Sequence, residues 1–238
     1  DFSISLEFNE IKKRAIDLRN QELTNDEIYK KYNISDNRDW KLSKARNEIQ
    51  LDKIWENKII NCGYRPFDNR PCYFSSVMMD YPRKELIQNV LNKENLILGI
   101  GRQGMAVGNI DWCLTTVSKN PVDANMFRRG GVNLFPLYLY PETNGQQQML
   151  SGFQTLTALD ADKQKETPTR TPNLNLEIVN QIAKQLDLAF VPEKEPQGNV
   201  CMANSDEVRP EFKQNFAPID ILDYIYAVLH SPAYREKY

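Results

Sequence analysis

Apolar residues recur at roughly helical spacing in the opening stretch, at Leu6, Phe8, Ile11, Ala15, Ile16 and Leu18, which predicts an amphipathic helix. Thr24-Asn25-Asp26-Glu27 has the capping-box pattern, in which the Thr24 hydroxyl and the Glu27 carboxylate satisfy end amides ahead of Ile28 and Tyr29. Asp36-Asn37 offers an N-cap for a third helix running through Trp40, Leu42, Ala45 and Ile49. Near Ile59 the texture changes to short segments rich in aromatic and β-branched residues, separated by turn formers. These are Ile59-Ile60, Cys72-Tyr73-Phe74, Leu96 to Ile100, Trp112 to Val117, and Val132 to Tyr140. One helix interrupts them, opened by Asp80 and Pro82 and carrying Leu86, Ile87, Val90 and Leu91. The pattern predicts a mixed, twisted sheet with a helix against it, not a regular βαβ repeat.

Residues 142–173 are polar, with Gln146-Gln147-Gln148 and many threonines, and read as an insertion or loop. A helix is predicted from about Leu174 to Leu188, then a second irregular stretch from Pro192 to Pro210. The last helix starts near Pro218 and sets Ile219, Leu222, Ile225, Tyr226 and Leu229 on one side, a face expected to be buried at Ile225. The fold class is therefore α+β. Its parts are a helical entry segment at 1–58, a β-rich core at 59–141, a polar insertion with one helix at 142–215, and a C-terminal helix at 216–238 that packs on the core. No internal repeat is present.

Composition narrows the class. The 238 residues are 41% hydrophobic and 26% charged, a globular balance, and no apolar run approaches the ~20 residues of a membrane span. The chain begins Asp1-Phe2-Ser3 and stops within a helix-like pattern at Tyr234 to Tyr238, so it reads as a piece of a longer protein. Cys62, Cys72, Cys113 and Cys201 lack Cys-x-x-Cys spacing and His230 is the one histidine, so no metal is expected and the thiols read as free in a reducing cytoplasm. Net charge is −2, yet residues 38–129 hold 15 Lys+Arg against 10 Asp+Glu, and the remainder 15 against 22. A basic centre within an acidic body would focus a polyanion onto one face.

Candidate chemistry is sparse. Gly99-Ile100-Gly101-Arg102-Gln103-Gly104 matches G-x-G-x-x-G, with Asp123 about 20 residues on. That motif binds a pyrophosphate only where its last glycine opens a helix. Here Gly108 and the Trp112–Val117 run follow, so a glycine-rich strand turn is expected. His230 lies near the end of the last helix, where it is expected to meet terminal carbonyls, and no carboxylate pair has a catalytic spacing. There is no Asn/Asp-Pro-Pro-aromatic tetrapeptide of the adenine-N6 methyltransferases, so no catalytic residue and no bound cofactor is expected in this chain.

What remains is a set of polar residues beside strand ends and turns. Arg forks onto guanine O6 and N7, and Asn or Gln onto adenine N6 and N7, so Arg102, Gln103, Asn109 and Asn125 are candidate base readers. Arg65, Arg70, Arg83, Lys84, Arg128 and Arg129 are candidate phosphate ligands. Solvated surface charge is the alternative for each. For Arg65 and Arg70, which flank Pro66 and Asp68, an internal Arg–Asp pair is the alternative. Tyr64, Phe67 and the aromatics of Phe135–Tyr140 are expected in the core.

Three stretches carry a resemblance. They are Asp39-Trp40-Lys41-Leu42 leading to Tyr64-Arg65-Pro66-Phe67-Asp68-Asn69-Arg70; Phe135 to Pro141; and Asp220 to Arg235. Together they resemble the C-terminal portion of the type ISP restriction–modification family and related single-chain adenine-specific DNA methyltransferases. Arg83-Lys84 and Arg102-Gln103 also fall where that family tends to carry a Pro-Arg segment and an Arg-Gln pair. The resemblance implies a target recognition domain for double-stranded DNA. It would present an adenine to a separate methyltransferase core, which binds S-adenosylmethionine and flips the base out of the helix. Two rival readings stand beside it: a scaffold that docks the methyltransferase and translocase parts, and a free-standing enzyme using the glycine-rich turn for a nucleotide.

Overall fold

The computed structural model describes residues 2–75, 77–79, 83–102, 113–127, 131–141, 170–194 and 214–237. They divide into two compact units. Described residues up to Lys93 together with 120–127 form the first; those of 94–119, 131–141, 170–194 and 214–237 form the second.

The first unit opens with three helices, α1 (Phe8–Arg19), α2 (Asn25–Tyr32) and α3 (Leu42–Leu51). The capping box forms as expected at α2: Thr24 Oγ1 accepts from Glu27 N at 3.3 Å, and Glu27 Oε2 accepts from Thr24 N at 2.7 Å. For α1 the predicted helix exists but the buried stripe is Ile11, Ala15 and Leu18, leaving Leu6, Phe8 and Ile16 exposed. The third helix starts later than expected. Asn37 Oδ1 instead holds a turn through the Asp39 and Trp40 amides, while Asp36 Oδ1 reaches Leu42 N at 3.0 Å.

Arginines couple α1 to α3 by satisfying each other's C-terminal carbonyls, which the helix leaves without partners. Buried Arg46 donates to Leu18 O (3.2 Å), Asn20 O (2.7 Å) and Asn25 Oδ1 (2.7 Å). Arg19 returns the arrangement, donating to Ile49 O and, at 2.7 Å, to Asp52 O. Ile11, Ala15, Leu18, Ile28, Leu42, Ala45 and Ile49 make the core, closed by Tyr73 and Met78.

A short 3-10 turn, Trp55–Lys58, leads into an antiparallel hairpin of β1 (Ile59–Arg65) and β2 (Asp68–Tyr73). Ile4 bridges Cys72 on the other edge of β2, and Val122 bridges Gly63 on the other edge of β1. The helix expected after Pro82 is a single turn, α4 (Lys84–Ile87); Asp80 and Pro82 lie outside the described residues.

In the second unit β3 (Ile97–Gly101) is the centre of a three-stranded antiparallel sheet, flanked by β4 (Thr115–Ser118) and β5 (Val132–Pro136). Short pairs follow: β6 (Tyr138–Leu139) with β7 (Thr171–Pro172), and β8 (Ala189–Phe190) parallel to β9 (Asn215–Phe216). Helix α5 spans Leu176–Leu186, α6 Pro218–His230 and α7 Pro232–Lys237. The class is α+β as expected, but the described strands form four small sheets rather than one mixed sheet. Of the polar insertion, 142–169 lies outside the described residues.

Helix α6 packs on the sheet, with Leu222, Ile219 and Tyr226 against Leu98, Ile100 and Val117. The anchor is Leu222, 5% exposed; Ile225, expected to be buried, is 36% exposed. His230 does not meet the terminal carbonyls. Arg235 does so, donating from Nε to Leu229 O at 2.7 Å, while its Nη2 lies 2.9 Å from His230 Nδ1. That approach needs a lone pair on Nδ1, and burial followed by the Arg235 charge lowers the ring's pKa accordingly.

Candidate nucleic-acid interface

In the first unit the β1–β2 hairpin turns at Pro66-Phe67, with Arg65 opposite Asp68. Proline suits the first corner position, and the second takes a positive φ, 63° at Phe67, where glycine or asparagine is usual. Phe67 is 98% exposed, so the expectation of a core aromatic is corrected: the ring occupies the corner of a two-residue loop, pointing away from both strands. Phe135 is half exposed as well, whereas Tyr138 is buried.

Below the tip, Tyr64 is covered by two guanidinium groups, Arg65 at 3.8 Å and Arg70 at 4.1 Å from the ring centroid. Each arginine also has an acidic partner. Arg70 grips Asp68 with two donors, Nε at 2.9 Å and Nη2 at 2.6 Å, and this hydrogen bond foremost holds the Asp68 carboxyl below its ordinary pKa. Arg65 Nη1 donates to Tyr64 O and lies 3.3 Å from Asp123 Oδ1. The same Asp123 oxygen accepts the Asn125 backbone amide at 2.6 Å. Backbone bonds Gly63 N to Pro121 O and Asp123 N to Gly63 O, both 2.8 Å, tie the 120–125 segment to β1, and Asn120 Nδ2 reaches Asn69 Oδ1 at 3.3 Å.

Three of the sequence-predicted residues, Arg65, Arg70 and Asn125, are thus brought together around Tyr64 and Asp123. The internal-pair alternative holds for both arginines, which nevertheless keep unused donors: no described acceptor meets Arg65 Nη2 or Arg70 Nη1. Asp123, spaced as a ribose ligand in the glycine motif, serves instead as the Arg65 partner and turn former. Phe67, Asn69 and Asn120 were not anticipated. The clue available was Pro-Phe-Asp between two strand-like runs, a corner sequence that turns its second residue outward.

In the second unit the first three residues of the glycine motif, Gly99-Ile100-Gly101, are strand. Gly99 sits where a Cβ would come within 2.9 Å of the Thr116 and Val132 side chains, so its role is close packing in the sheet centre and not a turn. Arg102 follows β3 directly and is exposed, with no paired acid among the described residues. Arg83 is exposed ahead of α4, and its carbonyl accepts the Leu86 and Ile87 amides. Lys84 opens that turn in its backbone, its side chain lying outside the described set. Gln103, Asn109, Arg128 and Arg129 lie outside the described residues. Among the described residues no cluster of His, Cys, Asp or Glu could hold a metal, and no helix is long and apolar enough to cross a membrane.

The family model of the Type ISP C-terminal specificity domain matches residues 1–238. No curated protein matches. Among solved structures, the chain is similar to part of a cryoEM structure of a DrdV–DNA complex, at 16% identity and TM-score 0.55, covering 100% of this chain and 19% of that one. It is similar also to part of the ATP-dependent Type ISP restriction-modification enzyme LlaBIII bound to DNA, at 19% identity and TM-score 0.56, covering 99% of this chain and 12% of that one. The chain therefore spans less than a fifth of the length of either.

Proposed function

Because this chain belongs to the Type ISP C-terminal specificity domain family, we propose that it reads the target sequence of double-stranded DNA for a restriction–modification enzyme. The family match over residues 1–238 is the observation that carries this reading. Two structures of like fold bear DNA, which supports duplex DNA as the ligand. In this reading the chain performs no chemistry itself. The parent enzyme supplies a methyltransferase core that takes S-adenosylmethionine and modifies an adenine at N6, and the chain docks against that core.

Readout divides between two kinds of interaction. Arg102, exposed at a strand end, is assigned to base edges with Gln103, Asn109 and Asn125. Arg65, Arg70, Arg83, Lys84, Arg128 and Arg129 are assigned to phosphates, with Arg65 and Arg70 using the donors their acidic partners leave over. The scaffold reading draws on the exposed apolar residues Leu176, Ile178 and Leu186 of α5, side chains open to protein contact.

The test is binding-site selection by the intact protein from a randomised duplex pool, followed by mapping of methylated adenines in DNA exposed to it. One enriched sequence containing a methylated adenine is expected. A pool that emerges unenriched, from protein that is folded and binds DNA, would overturn sequence reading and leave the scaffold.

A further inference from the structure

The Phe67 ring is unexplained by folding. It is 98% exposed, so it contributes no packing to its unit, and it sits at φ 63°, a region that costs a bulky L-residue backbone energy. Glycine or asparagine would make the same corner without that cost. The position is also rigid. The hairpin below it is held by the Arg70–Asp68 fork, the Arg65–Asp123 pair, stacking of both guanidinium groups on Tyr64, and the backbone bonds to Pro121 and Asp123. An apolar ring on a braced corner loses only its own side-chain freedom when a partner takes it up, because the backbone beneath it is already ordered.

We propose that Phe67 is a stacking wedge, which enters bound duplex DNA and packs against the face of a base at an opened step. Directional donors near it, rather than net charge, favour nucleic acid over an apolar protein pocket, since Asp123 and Asp68 balance Arg65 and Arg70. Arg65 on β1 and Arg70 on β2 lie on the two strands that the corner joins, and among the described residues no acceptor meets Arg65 Nη2 or Arg70 Nη1, which leaves both donors for phosphate oxygens. A protein pocket would have to desolvate both Arg–Asp pairs to seat the same ring. A two-stranded ribbon is narrow enough to enter the major groove, and apolar side chains inserted between base steps are an established way to open a duplex. The inference rests on the DNA-reading function proposed above.

The test uses the intact protein and the duplex returned by binding-site selection. Phe67→Gly, Phe67→Trp and wild type are compared for affinity, for thermal melting, and for fluorescence of 2-aminopurine placed at each position of the site in turn. Loss of one stacked base predicts binding weaker by roughly 5- to 150-fold for Phe67→Gly, with melting equal or higher, and near-wild-type binding for Phe67→Trp. Apart from the target adenine that the core flips out, wild type should brighten 2-aminopurine at one further step, and Phe67→Gly should not. Unchanged affinity and unchanged fluorescence in Phe67→Gly would overturn the wedge while leaving DNA recognition intact. So would unaltered DNA binding with impaired assembly onto the methyltransferase core, which would make the ring a protein contact. A lower melting temperature for Phe67→Gly would assign the ring to folding. Failure of the DNA-reading function itself shows in wild type, as a selection that enriches no sequence.

Discussion

Replacing Arg102 by alanine separates base reading from surface charge. The side chain is exposed immediately after β3 and pairs with no acid among the described residues, so its removal should cost the fold less than about 0.5 kcal/mol. A bidentate arginine–guanine interaction is worth about 1–3 kcal/mol, so cognate DNA should bind roughly 5- to 150-fold more weakly, with preference relaxed at one position of the site. Random duplex should hold nearly as before, because non-specific binding comes from phosphates. The salt slope provides a second axis: deleting a phosphate ligand lowers it by about 0.9, deleting a base reader by far less. The measurement is fluorescence anisotropy on cognate and random duplexes at two salt concentrations, with melting as control. Arg128→Ala should show the opposite signature, weakening both duplexes alike and lowering the slope by about one unit. Equal losses on both duplexes for Arg102→Ala, at unchanged melting, would remove it from the readers.

Other predictions concern the stability of each unit. Arg46→Met keeps the aliphatic stem but deletes three hydrogen bonds; at about 1 kcal/mol each it should cost about 3 kcal/mol, read as a fall of roughly 6–12 °C in melting of the 238-residue chain. Leu222→Asp should unfold the second unit by burying an unpaired carboxylate at a cost of several kcal/mol, whereas Ile225→Asp should change the unfolding free energy, read from denaturant titration, by less than about 1 kcal/mol. Asp17, pushed up by burial but lowered on balance by hydrogen bonds from Lys31 and Tyr32, has a folded pKa below its unfolded one. Its contribution is present above the ordinary carboxylate pKa and lost as pH falls through the folded value. Asp17→Asn should therefore lower melting at pH 7 and flatten the acid limb of the melting–pH curve, and an unchanged limb would contradict the assignment.

What could be read directly from the chain was local. The Thr24–Glu27 box needs only four consecutive residues, and it forms as expected. Helix α1 was legible as a helix, but its buried stripe was not, because the stripe is chosen by α3 and its Arg46 rather than by α1 itself. Ile16 is apolar and exposed for that reason. Strand positions were legible and their partners were not: β3 pairs with β4 and β5 across long connections, and the first glycine of G-x-G-x-x-G answers to the need for a residue without Cβ at Gly99 between Thr116 and Val132.

The site shows why charge counts mislead. The excess of cations in residues 38–129 suggested one polyanion-binding face. Yet Arg46 is buried on helix carbonyls, and Lys58 is buried between Glu48 (3.3 Å) and Asp52 (2.6 Å). Arg38 pairs with Asp39, and Arg65 with Asp123, an acid 58 positions away that no local pattern could assign to it. A cation committed to an internal partner contributes little to an outside field, so the net charge of a segment overstates its reach. What remains for a ligand among the described residues is set by geometry instead: an arginine past the end of a strand, two guanidinium donors without a described acceptor, and an exposed aromatic ring at a corner where folding alone would favour glycine.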